Sequence, residues 1–227
     1  DLIIDNYNEL EISFKENFKL IFRVYNDGAA YRIITDTKKP FIVENELVEF
    51  NFPGNPKAYV AYVAKWEKGC FERQFYNSFE NTYEYIHITD WNSERLAFLP
   101  IVVEGPAGKK LCITEADLFN YPGLYLSNQN GSNSLTGVFA PYPKEIKQGG
   151  HNNLQGEVQS RESFIAKCEG KTEFPWRVII VAENDYELAN SDMVYRLASP
   201  NMLTDVSWIK PGKVAWDWWN DWNLYNV

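Results

Sequence analysis

Short runs of apolar residues, many of them alternating with polar ones, recur at roughly ten-residue intervals through the first two thirds of the chain, with turn-forming residues between them. A period of two sends successive side chains to opposite faces of a strand, so this rhythm predicts an all-β sandwich. Glu9-Leu10-Glu11-Ile12-Ser13-Phe14 alternates, breaks at Glu16-Asn17, and resumes as residues 18–25, giving two strands of a hairpin. Asn26-Asp27-Gly28 then supplies turn chemistry before Ala29-Ala30-Tyr31-Arg32-Ile33-Ile34 restarts the sheet. Further strands are expected at 46–52, 58–62, 96–103 and 110–116, and later at 123–126, 163–166 and 176–181. Residues 127–136 and 148–156 read as loop tips, and no internal repeat of fixed period is present.

The pattern changes near Glu183. Asn184 is a suitable N-cap with Glu187 three positions on, and Leu188, Val194 and Leu197 continue at near-helical spacing to a stop at Ser199-Pro200, which predicts one helix. Ser207-Trp208-Ile209-Lys210-Pro211-Gly212 reads as a linker. Lys213-Val214-Ala215-Trp216 reads as a short buried strand that runs into Asp217-Trp218-Trp219-Asn220-Asp221-Trp222.

Composition narrows the function classes. With 227 residues, 45% of them apolar and 16% aromatic, the chain has ample material for a core. Its 31 acidic and 22 basic residues give a net charge of -9, and the basic runs Lys38-Lys39 and Lys109-Lys110 are short, so a nucleic-acid groove has no electrostatic basis. Cys70, Cys112 and Cys168 are odd in number and widely spaced, which fits buried or free thiols and neither a disulfide framework nor a zinc cluster. No apolar run approaches the roughly 20 residues of a membrane span. Asp1-Leu2-Ile3-Ile4-Asp5 is not a basic signal segment, so any export signal is expected upstream of this sequence.

Five ordered segments together resemble glycoside hydrolase family 97, whose members are exo-acting α-glucosidases and α-galactosidases. They are residues 22–32, beginning Phe22-Arg23-Val24-Tyr25-Asn26-Asp27-Gly28; Ile113-Thr114-Glu115-Ala116-Asp117-Leu118 with Tyr121-Pro122-Gly123-Leu124-Tyr125-Leu126; residues 175–183, beginning Pro175-Trp176-Arg177-Val178; residues 190–198, beginning Asn190-Ser191-Asp192-Met193; and residues 208–219, from Trp208-Ile209-Lys210-Pro211-Gly212 to Asp217-Trp218-Trp219. The resemblance implies a β-super-sandwich of galactose-mutarotase-like type, with one or two helices, followed by the truncated start of a (β/α)8 barrel. On that reading residues 1–203 form the sandwich, lacking its first strands, and 204–227 are the linker and first barrel strand. An orphan strand over 214–219 is then expected to be disordered, swapped into a neighbour or laid against the sandwich.

What the resemblance implies about function follows the same division. The parent enzyme is expected to be an exported, periplasmic, calcium-dependent exo-α-glycosidase acting on oligosaccharides or other α-glycosides, with its catalytic carboxylates in the barrel. None of those carboxylates maps onto this sequence, so no catalytic residue is assigned and the chain alone is expected to be inactive. Glu115 is the implied calcium ligand, reaching across to the barrel domain of the same polypeptide; on spacing alone it reads as a strand-end surface acid. Asp117 is placed to support the loop or the ion. Asp217, Trp218 and Asn220, at the end of the first barrel strand, are candidates to line the sugar pocket, or else to pack sandwich against barrel, as Trp216 and Trp219 are expected to do.

Two other readings remain in play. A non-catalytic carbohydrate-binding module would set its aromatics along one exposed sandwich face, whereas a hydrolase domain would keep them in the core and the C-terminal tail. An aldose epimerase would need a histidine and a carboxylate meeting in an open cleft, and only His87, expected on the polar face of a strand, and His151, in a Gly-Asn loop, are available.

Overall fold

The computed structural model describes residues 3–75 and 81–213. Their elements, in chain order, are β1 (Asn8–Ser13), β2 (Phe18–Tyr25), β3 (Gly28–Asp36), β4 (Phe41–Val43), β5 (Glu49–Asn51), β6 (Lys57–Val60), β7 (Glu84–His87), β8 (Ile101–Glu104), β9 (Lys110–Ala116), β10 (Tyr125–Ser127), β11 (Ser134–Val138), β12 (Pro143–Gly149), β13 (Gln155–Arg161), β14 (Ala166–Cys168), β15 (Lys171–Glu173) and β16 (Trp176–Ala182), then the helices α1 (Asp185–Ala189) and α2 (Met193–Leu197). The all-β expectation is met, and the strand residues read from alternation fall in strands or beside them.

One large antiparallel sheet organises the molecule, in the order β1-β2-β3-β16-β9-β8-β6-β7 with β15 also paired to β3. The hairpin from β2 to β3 closes through Asn26 and Asp27, with Tyr25 paired to Gly28. The long crossover that brings β16 between β3 and β9 matters most for function, because it sets Arg177 opposite both Tyr31 and Glu115.

Around β16 and β9 both faces of this sheet are covered. On one face Cys112, Ala116, Trp176, Val178 and Ile180 pack with Met193 and Leu197 of α2. On the other, Ile113, Ile101, Val103 and Val60 pack against Phe50, Leu126, Leu135 and Ala166 from the smaller sheets, β10-β11-β5 and β14-β4. Burial of these apolar side chains drives the sandwich together.

Besides the tip expected at 127–136, which β10 and β11 narrow to residues 128–133, two details differ from the sequence reading. The single helix expected after Asn184 is two helices, interrupted at Asn190-Ser191-Asp192. Asn184 does cap the first, accepting from Glu187 N at 3.0 Å, while Glu187 Oε2 accepts from Glu183 N at 2.9 Å. Asn190 then closes α1 by donating from its side chain to Tyr186 O at 2.7 Å. Short polar side chains compete with the helical ladder in this way, which is why spacing of apolar residues alone missed the break. The second difference is that the tip at 148–156 belongs to a hairpin of β12 and β13. Their sequences, PKEIKQG and QGEVQSR, carry too few apolar residues to alternate.

All three cysteines are free; Cys112 and Cys168 are buried and Cys70 is half-buried. Burial pushes the Cys112 thiol up to about 11 and raises that of Cys168 as well. At pH 8 only about one Cys112 in a thousand is thiolate, the reactive form. A thiol-labelling time course at that pH, followed by peptide mass, is therefore expected to modify Cys70 well before Cys112 and Cys168.

Candidate functional site

The site grows from the cross-strand pair Glu115 and Arg177 on β9 and β16. Directly opposite residues share a face, so both point into the layer between the large sheet and the small ones. Arg177 Nη1 donates to Glu115 Oε2 at 2.7 Å, while Nε and Nη2 form a fork on the two oxygens of Glu46, at 2.9 and 2.7 Å. Side-chain exposure is 1% for Arg177, 8% for Glu46 and 14% for Glu115. The guanidinium lies 5.1 Å from the ring centre of Phe139 and 5.9 Å from that of Tyr121.

Glu115 has one more partner. Leu124 N donates to its two oxygens at 3.1 and 3.3 Å, which ties the strand end to the Tyr-Pro-Gly turn. The turn passes so close that a Cβ at Gly123 would stand 3.4 Å from Glu115 Oε1.

Burial sets the electrostatics. It lifts Glu115 above the usual carboxylate range, although Arg177 and the Leu124 amide pull the other way. It acts to lower Arg177, yet Glu46 and Glu115 together hold that guanidinium above its ordinary value. Tyr121 is pushed well up, first by burial and then by the Glu46 charge. With all three groups ionised, two carboxylates share one guanidinium and leave a net negative charge, an arrangement that suits the approach of a cation.

Asp117 holds the loop beyond Glu115. Its backbone is left-handed at φ 60°, and its oxygens accept from Arg32 Nη2 at 3.1 Å and Ser199 N at 2.9 Å. Arg32 also bonds Glu173 and the Phe174 carbonyl, each at 2.9 Å, and lies 4.8 Å over the Trp176 ring. Burial pushes the Asp117 carboxyl up, but Ser199 and Arg32 outweigh it and hold the group below its ordinary value. A depressed carboxylate contributes stability above its unfolded value of about 3.9 and loses it as pH falls through the folded one. Asp117→Ala is thus expected to cost about 1–3 kcal/mol at pH 7. Urea midpoints at neutral and acidic pH check this, since the gap to the parent chain should narrow in acid.

Beside this loop a groove of about 660 Å³ is lined by Phe119, Tyr121, Pro122, Tyr142, Arg161 and Glu173 among others. Tyr121 therefore contributes to two places at once, covering the Arg177 guanidinium and walling the groove.

The structure sorts the sequence candidates unevenly. Glu115 is drawn into a three-member ionic cluster and is no plain surface acid, and Asp117 supports the loop. Asp217, Trp218 and Asn220, with Trp216, Trp219 and the strand expected over 214–219, lie outside the described residues. His87 is half-buried at the end of β7 with Nδ1 2.8 Å from the Asn55 carbonyl, so it meets a backbone oxygen and not a carboxylate. Among the described residues, the exposed Tyr59 and Tyr85 stack on each other at 4.5 Å across β6 and β7. Among the described residues, no three His, Cys, Asp or Glu side chains group to hold a metal on their own.

Glu46 and Arg177 were not singled out from the sequence. The signal for Arg177 was there: one charge inside the apolar run Trp176-Arg177-Val178-Ile179-Ile180 must be paired when buried. Glu46, in the acidic stretch Glu44-Asn45-Glu46, has no comparable mark.

Comparison with known proteins agrees with this architecture. A sequence profile described as Glycosyl-hydrolase 97 N-terminal matches residues 1–200. A retaining alpha-galactosidase of Bacteroides thetaiotaomicron is 50% identical over 223 residues, which make up 98% of this chain and 34% of that protein. Among solved structures, a glycoside hydrolase family 97 enzyme from Pseudoalteromonas sp. strain K8 in complex with acarbose superposes with a TM-score of 0.69 at 19% identity, over 95% of this chain and 32% of its own. A variant of the same enzyme in complex with panose gives the same values. The chain thus spans about a third of the length of these relatives.

Proposed function

The chain belongs to glycoside hydrolase family 97, through the family's N-terminal domain, and from that premise we propose that it is the non-catalytic β-sandwich of an exported, calcium-dependent α-glycoside hydrolase. The reading assigns bond cleavage to a catalytic barrel of the same polypeptide, outside this sequence. Glycoside hydrolysis needs an acid and a second carboxylate on either side of the scissile bond, and the Glu46–Arg177–Glu115 cluster does not offer that: both its carboxylates are committed to one guanidinium.

The observation that carries the proposal is the state of Glu115. A carboxylate at a strand end, 14% exposed, held by Arg177 and Leu124 and short of full charge compensation, is suited to give an oxygen's remaining lone pair to a cation arriving from outside the sheet. Calcium takes six to eight hard oxygens, so Glu115 would be one ligand and the adjoining domain would supply the others. When bound, the ion would supply a fixed positive charge that steadies negative charge developing near the substrate. Residues 117–124 and the Tyr121 groove would form part of the rim of the substrate mouth.

Between glucoside and galactoside, the 50% identity to a retaining alpha-galactosidase favours an α-galactoside. Export to the bacterial periplasm follows from the family reading. Among the described residues, no helix is long and apolar enough to cross a membrane.

The test compares this chain with a longer polypeptide that continues it through the barrel, using nitrophenyl α-galactoside and α-glucoside with and without a calcium chelator. Hydrolysis by the longer form alone, lost on chelation and greater for the galactoside, is the expected result. Turnover by the 227-residue chain itself would overturn the proposal.

A further inference from the structure

We infer that Glu46 and Arg177 are positioning residues for Glu115: they fix the direction of its carboxylate and keep its charge available, so that a cation meets a ligand oriented beforehand. The inference rests on the reading of Glu115 as a calcium ligand.

Direction comes from geometry. A guanidinium is planar, with its donors in a rigid fork, so once Glu46 engages Nε and Nη2 the aim of Nη1 is set. That remaining donor points at Glu115 Oε2. Glu46 is itself a firm reference. It sits two residues before Val48, which is fully buried and accepts from Gly137 N at 2.8 Å, joining the segment to β11. Phe139 and Tyr121 cover the guanidinium and keep water from competing for it. The Leu124 amide donates to both oxygens, closer to the one that Arg177 leaves free, so rotation of the Glu115 carboxylate is resisted by two donors.

Charge points to the same division of labour. Were Arg177 alone beside Glu115, its positive charge would cancel the carboxylate and repel an incoming cation. Glu46 takes up that positive charge through two short bonds, and Glu115 keeps its negative one for the ion. Ligand-supporting groups of this kind are commonly worth about 10–100-fold in metal affinity.

The experiment measures calcium affinity of the longer polypeptide by calorimetric titration, with terbium luminescence as a second probe. Glu115→Gln comes first, because it tests the ligand reading alone: if calcium affinity is unchanged, that reading fails and this inference falls with it. Given a loss in Glu115→Gln, Arg177→Lys keeps the charge and removes the fork, and is expected to weaken calcium by about 10–100-fold. Glu46→Gln keeps the shape and frees the Arg177 charge, and is expected to weaken it by roughly tenfold, with a smaller effect once Arg177 is already lysine. In this chain, the same variants should speed hydrogen exchange at the Leu124 amide while Val178 and Ile113 stay protected. Affinity within twofold of the parent in both variants, beside a clear loss in Glu115→Gln, would overturn the inference. Should Arg177→Lys fail to fold, Glu46→Gln decides alone.

Discussion

Replacing Arg177 by methionine is expected to lower the stability of this chain by about 3–5 kcal/mol at pH 7. Methionine fills much of the same volume, so the loss comes mainly from charge. Glu46 and Glu115, both mostly buried, would face each other without the cation that now separates them. Glu115, raised by burial, would lose the guanidinium that pulls it down and would titrate higher still in the variant. An acid with a raised folded value binds its proton more tightly folded than unfolded, and stability then rises as pH falls through that range. Urea unfolding at pH 7 and pH 5 should therefore show a deficit that shrinks on acidification. Replacing all three members by apolar residues of similar size should return most of the loss, because a buried ion cluster contributes little over good packing. A deficit that is the same at both pH values would mean that the cluster is held by packing and not by charge.

Trp176→Ala is expected to cost a similar amount, about 3–5 kcal/mol, through a different mechanism. Trp176 neighbours Arg177 on β16 and faces the opposite way, at 2% exposure, into the layer beneath α2. Two guanidiniums lie over its ring, Arg23 at 5.0 Å and Arg32 at 4.8 Å, so the indole also supports the Arg32 to Asp117 pair that holds the loop to Ser199. Alanine would leave a cavity and remove that support. Trp176→Phe separates the two contributions. The indole N–H has no hydrogen-bond partner among the described residues, so phenylalanine forfeits no bond and is expected to cost only about 1–2 kcal/mol. Equal losses in the two variants, measured by the same urea transitions, would count against this account of the site.

These neighbours also show what the sequence made legible and what it did not. Alternation exposed β1 and β2, although every residue of β1 is exposed, while β9 and β16 were legible as apolar runs because both their faces are covered. β12 and β13 escaped because their hairpin is largely polar, and nothing local distinguishes such strands from a loop. Glu115 was singled out through its Ile-Thr-Glu-Ala-Asp setting, but the groups arranged around it come from residues 46, 124 and 177. A lone arginine in an apolar strand demands a buried acid, yet the sequence does not say which acid, since that choice is made by the crossover that pairs β16 with β9. Asp117 was read as a support for the loop or the ion, while its link to Ser199, 82 residues away, depends on where the chain leaves α2.

The most direct test of the central claim is the distance from the Glu115 carboxylate to bound calcium in a crystal of the longer polypeptide. The account predicts a Glu115 oxygen within roughly 2.3–2.6 Å of the ion, with Arg177 still forked on Glu46. A calcium ion bound elsewhere, with no Glu115 oxygen in its coordination sphere, would contradict it.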